Sequence, residues 1–302
     1  MDIGAFFQGL DSVTATESKE VILAYLQRSL NEAEAENDVH AVVSILNEMM
    51  SYFRKISNYT ASLRISKRVV ATMQDLGYED TVAYGTTLLN CGTAYRASGD
   101  ITKALELFIQ ALTIFSQHLP ADDYRLAGLF NNIGAIYEET GRYDAALDVL
   151  HRAAAILEKH DGMENDAATV QSNLALIFFK LNREKKAMVA LEKARILFRQ
   201  EDKTGKAEQR ISPQYAAALA GAGEAYLRME KYVEAVEAFE SALTHLKDAF
   251  GENRDYAVTC QNCADAYAAA GLPDKAKELM AKADALLAEL GVDNQESEYK
   301  LQ

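Results

Sequence analysis

Residues 129–147 read LFNNIGAIYEETGRYDAAL, and the chain returns to this pattern about every forty residues. An aromatic residue holds the register at Phe53, Tyr95, Tyr137, Phe178, Tyr226 and Tyr267, with spacings of 42, 42, 41, 48 and 41. A small residue stands three places before five of them, at Gly92, Gly134, Ala175, Gly223 and Ala264; Met50 is the exception. Nine places after them come Ser62, Ala104, Ala146, Ala187, Ala235 and Ala276. Sixteen places after come Val69, Ala111, Ala153, Ala194, Ala242 and Ala283. Repetition of this length in helix-forming sequence predicts a solenoid, whose units stack because none can bury its apolar face alone.

Each unit reads as two helices. In the quoted stretch and just beyond it, Ile133, Ile136 and Tyr137 share one stripe of a first helix, and Ala146, Leu147 and Leu150 one stripe of a second. Between them lies Gly141, matched by Gly99 and Gly271 and by Asn182, residues able to take positive φ where a helix stops. The small residues have a mechanical reason: antiparallel helices approach closely only where no large side chain holds them apart. Acidic residues at Asp80, Asp122 or Asp123, and Asp166 mark expected helix starts.

This Gly/Ala–aromatic–Ala–Ala framework resembles the tetratricopeptide repeat over roughly residues 38–290. The common form is about 34 residues long; the longer period here, the LNN-like first helix at Leu129–Asn132 and the GENRDYA of Gly251–Ala257 resemble the kinesin-light-chain type. The resemblance implies an all-α, right-handed superhelical solenoid of about six helix-turn-helix units with capping helices. The units fall at about 38–77, 80–119, 121–160, 165–201, 213–250 and 254–290. Residues 1–37 read as an N-terminal arm and capping helix, 201–213 as an enlarged polar connector, and 291–302 as a polar C-terminal tail that frays. In the arm, Ile3, Phe6, Phe7 and Leu10 recur at helical spacing, to pack on the end of the array or to dock in a groove. Thr14 followed by Glu17 has the spacing of a capping box, which predicts a helix from there to about Glu36.

The net charge of −14 argues against nucleic acid, whose binders need a basic face to displace counterions. No run of about 18 apolar residues is present to span a membrane, and the N-terminus lacks the basic and apolar regions of a signal peptide. The expected setting is cytoplasmic. Cys260 and Cys263 form a CxxC, but they stand where other units have Phe130 and Ile133, or Leu88 and Cys91, so all three cysteines read as core residues. The five histidines are scattered among units without metal spacing, and there is no phosphate-binding glycine loop or nucleophile motif. The expectation is a non-enzyme without metal or cofactor.

One pattern points to function. Asn90, Asn132, Asn173 and Asn262 stand five places before the register aromatic, interrupted by Gly221 and Glu48. The resemblance puts first helices along a concave groove, and an amide side chain matches the C=O and N–H of a peptide bond. Asparagine is a poor choice inside a helix on propensity alone. The alternatives are that these amides bond to each other or to turns, or were copied by duplication. The same face adds Asn131, Arg54, Arg96, Lys180 and Arg228, with Glu138 and Glu224 opposing them and Leu176 and Phe179 as apolar anchors. The basic pairs of a carboxylate clamp are missing, because Leu176, Glu224 and Gly92 stand one turn before Lys180, Arg228 and Arg96. Peptide-sensing regulators that resemble the array carry an output domain ahead of it, for which some 35 residues are too few. The expected function is a scaffold that holds an extended or helical segment of a protein or peptide partner. The alternative is self-association into a homo-oligomer through the groove or the Phe6/Phe7 arm.

Overall fold

The computed structural model describes residues 1–198 and 213–296, and among these there is no strand. The helices are α1 (Ile3–Thr16), α2 (Lys19–Ala35), α3 (Val39–Lys55), α4 (Tyr59–Asp75), α5 (Val82–Ala97), α6 (Ile101–His118) and α7 (Tyr124–Glu139). They continue with α8 (Tyr143–Leu157), α9 (Glu164–Lys180), α10 (Glu184–Phe198), α11 (Pro213–Arg228), α12 (Tyr232–Phe250), α13 (Arg254–Ala269) and α14 (Pro273–Glu296). The chain divides into two compact units, residues 1–136 and 137–302. In the first, α1 packs on α2, α3 on α4 and α5 on α6; in the second, α9 packs on α10, α11 on α12 and α13 on α14. The expected connector at 201–213 lies, but for Pro213, outside the described residues.

One turn closes every repeat. Four places after the register aromatic the backbone goes left-handed, with φ of 59° at Ser57, 88° at Gly99, 72° at Gly141, 54° at Asn182, 60° at Glu230 and 79° at Gly271. The next N–H then returns to the carbonyl of the aromatic itself: Asn58 to Phe53, Asp100 to Tyr95, Arg142 to Tyr137, Arg183 to Phe178, Lys231 to Tyr226 and Leu272 to Tyr267, at 2.7–3.0 Å. This bond satisfies a carbonyl that the end of the first helix would leave without a partner. The expected glycines and Asn182 take this position. Ser57 and Glu230 take it too, without the freedom of glycine.

The two helices of a repeat interlock through the small residue. A Cβ built at Gly92 would lie 2.4 Å from the Phe108 ring, and one at Gly223 would lie 2.7 Å from Phe239. Both rings are fully buried. The same sixteen-residue step joins Gly9 to Tyr25, where an added Cβ would meet the phenol oxygen at 2.2 Å. Residues 1–37 are thus a helical hairpin built like a repeat, with Ser12 where the register aromatic would stand. Phe6 is buried and stacks on Tyr25, whose hydroxyl donates to the Phe6 carbonyl at 2.9 Å. The chain's amino group closes the hairpin against Glu36 and Asp38.

Three local expectations need correction. Thr14 lies inside α1 and its hydroxyl donates back to Leu10 O at 2.8 Å, so it starts no helix; Ser18 precedes α2 instead. Asp80 accepts from His118 at 2.7 Å while Thr81 caps α5, because the shorter hydroxyl side chain reaches the Tyr84 N–H at 3.2 Å. Gly291 does not end the last helix: α14 runs on to Glu296.

Candidate functional site

In the first unit, α3 and α5 lie side by side and bring the ladder position to their mutual boundary. Asn90 donates to Asn47 Oδ1 at 3.0 Å, and Asn47 in turn donates to Thr87 Oγ1 at 3.2 Å and to Val43 O at 3.0 Å. Asn47 stands six places before its aromatic, one before Glu48, so strict periodicity missed it. A search for amides on the neighbouring stripe would have found it. Asn132 on α7 donates to Gly128 O, one turn back on its own helix, at 2.9 Å. It remains half-buried, as does Asn131. An amide has one acceptor and two donor hydrogens, so Asn132 keeps capacity that this bond does not use.

Charges on this face come from the last turns of α3 and α5. Arg54 and Arg96 are both half-buried. Burial, and then the charge of Arg96, hold the Arg54 guanidinium below its ordinary value. Arg54 reaches only the Ser51 hydroxyl, at 3.5 Å, and no carboxylate among the described residues. Cations at helix C-termini are favoured by the carbonyl ends there, which offsets part of the cost. Glu48, on the same helix, is pushed up by burial and by the charge of Asp11.

In the second unit, α9, α11 and α13 are consecutive neighbours. Lys180 forms an ion pair with Glu138. Burial lowers the Lys180 ammonium's affinity for its proton, but Glu138, with Tyr143 and Glu224 beyond it, outweighs this and raises it. Gly221, the break in the ladder, makes room for its neighbour: an added Cβ would sit 2.3 Å from Leu176 Cδ1. Leu176 therefore spends its tip on α11 and stays half-buried. Phe179 is 1% exposed and packs edge-on against Tyr226, so it is core where an anchor for a ligand was expected. Arg228 is exposed and donates to Phe179 O at 3.5 Å. Asn173 and Asn262 are both half-buried, and the Asn262 amide has no hydrogen bond to any described residue.

The cysteines are where the register puts the core. Cys91, Cys260 and Cys263 are fully buried, and burial pushes Cys91 up to about 11 and Cys263 up to about 12. Among the described residues no group of His, Cys, Asp and Glu is placed to hold a metal ion, and no helix is long and apolar enough to cross a membrane.

Half-buried amides and last-turn charges carried on consecutive first helices define a helical-repeat scaffold. The tetratricopeptide-repeat profile matches residues 125–200 and 214–287, and a second profile of the same description matches 87–114. The chain belongs to the tetratricopeptide-repeat family, and its repeats are similar to those of kinesin light chain-related proteins. Kinesin light chain-related 2 of Arabidopsis thaliana is 24% identical over 166 residues, which is 55% of this chain and only 24% of that protein's length. The crystal structure of BtubC (BKLC) from P. vanneervenii superposes with a TM-score of 0.56 at 24% identity, over 77% of this chain and 92% of that one. A Rap protein complexed with Competence and Sporulation Factor superposes with a TM-score of 0.64 at 15% identity, over 89% of this chain and 70% of that one. These likenesses carry the fold.

Proposed function

We propose that the chain is a non-enzymatic scaffold whose first-helix face holds an extended or helical segment of a partner protein. The observation that carries this reading is Arg54. A half-buried guanidinium with a second arginine for company and no carboxylate partner is a costly arrangement, and a partner's acidic or carbonyl groups would relieve it. The amides of Asn132 and Asn262 add donors and acceptors that the fold leaves uncommitted, whereas Asn90 is spent on Asn47. The Rap protein is complexed with Competence and Sporulation Factor, an analogy of use at the level of architecture only. Self-association through the arm is the weaker reading, because Phe6 is already buried within its own chain and leaves Phe7 alone at 39% exposure.

The test is selection of peptides on the intact protein from a random display library, followed by titration. Losing one direct amide contact costs about 1–3 kcal/mol, so Asn132→Ala weakens a peptide selected on the first unit, and Asn262→Ala one selected on the second, about tenfold or more. Asn90→Ala, which breaks an internal bond, changes melting more than affinity. Undiminished affinity in both variants means that the ladder does not read the ligand.

A further inference from the structure

A second face of the molecule carries its own site. Between α8 and α10 opens a cleft of about 560 Å³, with its floor on α9. Leu174 and Phe178, four apart on α9, form the apolar floor; Ala154, Ala155 and Ala190 keep the walls low; Lys185, Lys186 and Lys193 line the α10 side. At 100° per residue, Leu174 and Phe178 lie on the stripe of α9 roughly opposite Asn173, Leu176 and Lys180. The cleft is therefore distinct from the first-helix face, and its occupancy and that of the ladder can fail separately.

We infer that this cleft docks an acidic peptide segment of a partner protein, with one apolar side chain seated on the Leu174–Phe178 floor. Charge carries the choice of partner. The chain bears a net −14, yet these three lysines are exposed and gathered on one helix, with no carboxylate in ion-pair distance among the described residues. Glu158 on the facing wall is the cleft's one acid and pairs with none of them. Elsewhere on α10 the charges are neutralised, Arg195 by Glu192 and Glu184 by Lys231. The apolar term comes from the floor and from Val189, 59% exposed at the rim. Lys186 lies over the Phe178 ring, 5.8 Å from its centre, and His151 flanks the same ring at 6.4 Å. A concave, apolar-floored slot of this size accepts a side chain and its flanking backbone, which a flat anionic bilayer does not offer.

The probe is a short fluorescein-labelled peptide of Asp and Glu around a central Leu-Phe pair, titrated by anisotropy into the intact protein. Binding is expected to saturate, to weaken as salt shortens the screening length, and to fall about tenfold or more in the Lys186→Glu, Lys193→Glu double variant. Replacing Leu-Phe in the peptide by Gly-Gly weakens it as well, while Asn132→Ala leaves it unchanged. Lys186→Gln with Lys193→Gln repeats the test if charge reversal disturbs the helix signal in circular dichroism. Absence of binding overturns the inference, as does affinity untouched by the lysine substitutions. Loss in Asn132→Ala instead assigns the acidic peptide to the first-helix face. A self-associated state that the lysine substitutions dissociate makes the occupant a second copy of this chain.

Discussion

Glu48 shows how one side chain on the candidate face trades stability for position. Burial, and next the charge of Asp11, raise its pKa above the ordinary range of a glutamate. The folded protein therefore holds this proton more tightly than the unfolded chain. The stabilisation is complete below the unfolded pKa and is lost as pH rises through the folded one. At neutral pH the ionised carboxylate is a burden, and glutamine removes it while keeping the shape. Glu48→Gln is expected to raise the melting temperature at pH 7 by about 1–3 °C, with the gain shrinking towards pH 4. An equal gain at both values would mean that ionisation is not the cause. Residues of this kind were only partly legible. Asn182 and three glycines announced the left-handed turn because their chemistry suits it, but Ser57 and Glu230 are held there by the bond to the aromatic carbonyl, which propensity does not encode.

At the scale of helices, the same residue type plays opposite parts. Gly92 lies against Phe108, whereas a Cβ added at Gly128 within α7 would meet nothing within 4 Å. Alanine is the better helix former by about 1 kcal/mol, so Gly128→Ala should stabilise by about that amount. At Gly92 a fully buried ring has nowhere to go, and overpacking costs about 1–3 kcal/mol. Gly92→Ala is therefore expected to destabilise, and urea denaturation of the two variants measures both signs. If both stabilise, the interlock of first and second helices is looser than the structure has it. The pairing of helices was legible because the aromatic and small residues recur in step. The ladder's chemistry was less so: periodicity found Asn90, but its partner Asn47 is offset by one residue, and Gly221 breaks the row to admit Leu176. Phe179 was misread for a related reason. Adjacent to the register aromatic Phe178, it turns by a further 100° around the helix into the contact with Tyr226.

At the scale of the whole chain, the array's stability is close to a sum of units and nearest-neighbour interfaces. The hairpin of α1 and α2 supplies one such interface, since α2 packs on α3 and buries Ile22, Leu26, Leu30 and Ala33. Sequence alone left this segment as an arm and a cap, because its connector is shorter and Ser12 replaces the aromatic that keeps register elsewhere. The close contact of Gly9 with Tyr25 marks it as a hairpin of the same build. Each fully buried aliphatic side chain contributes about 1.5–3 kcal/mol, an upper estimate for an unfolded chain that is partly collapsed. Deleting residues 1–37 removes that cover from α3 and leaves apolar surface facing water. The truncated chain is expected to melt several degrees lower and to self-associate with rising concentration, while the full chain does neither. Calorimetry with sedimentation velocity reads both effects. A truncated chain that stays monomeric and melts with the full one would make α1 and α2 a detachable arm, and would return the Phe6/Phe7 segment to contention as an interaction element.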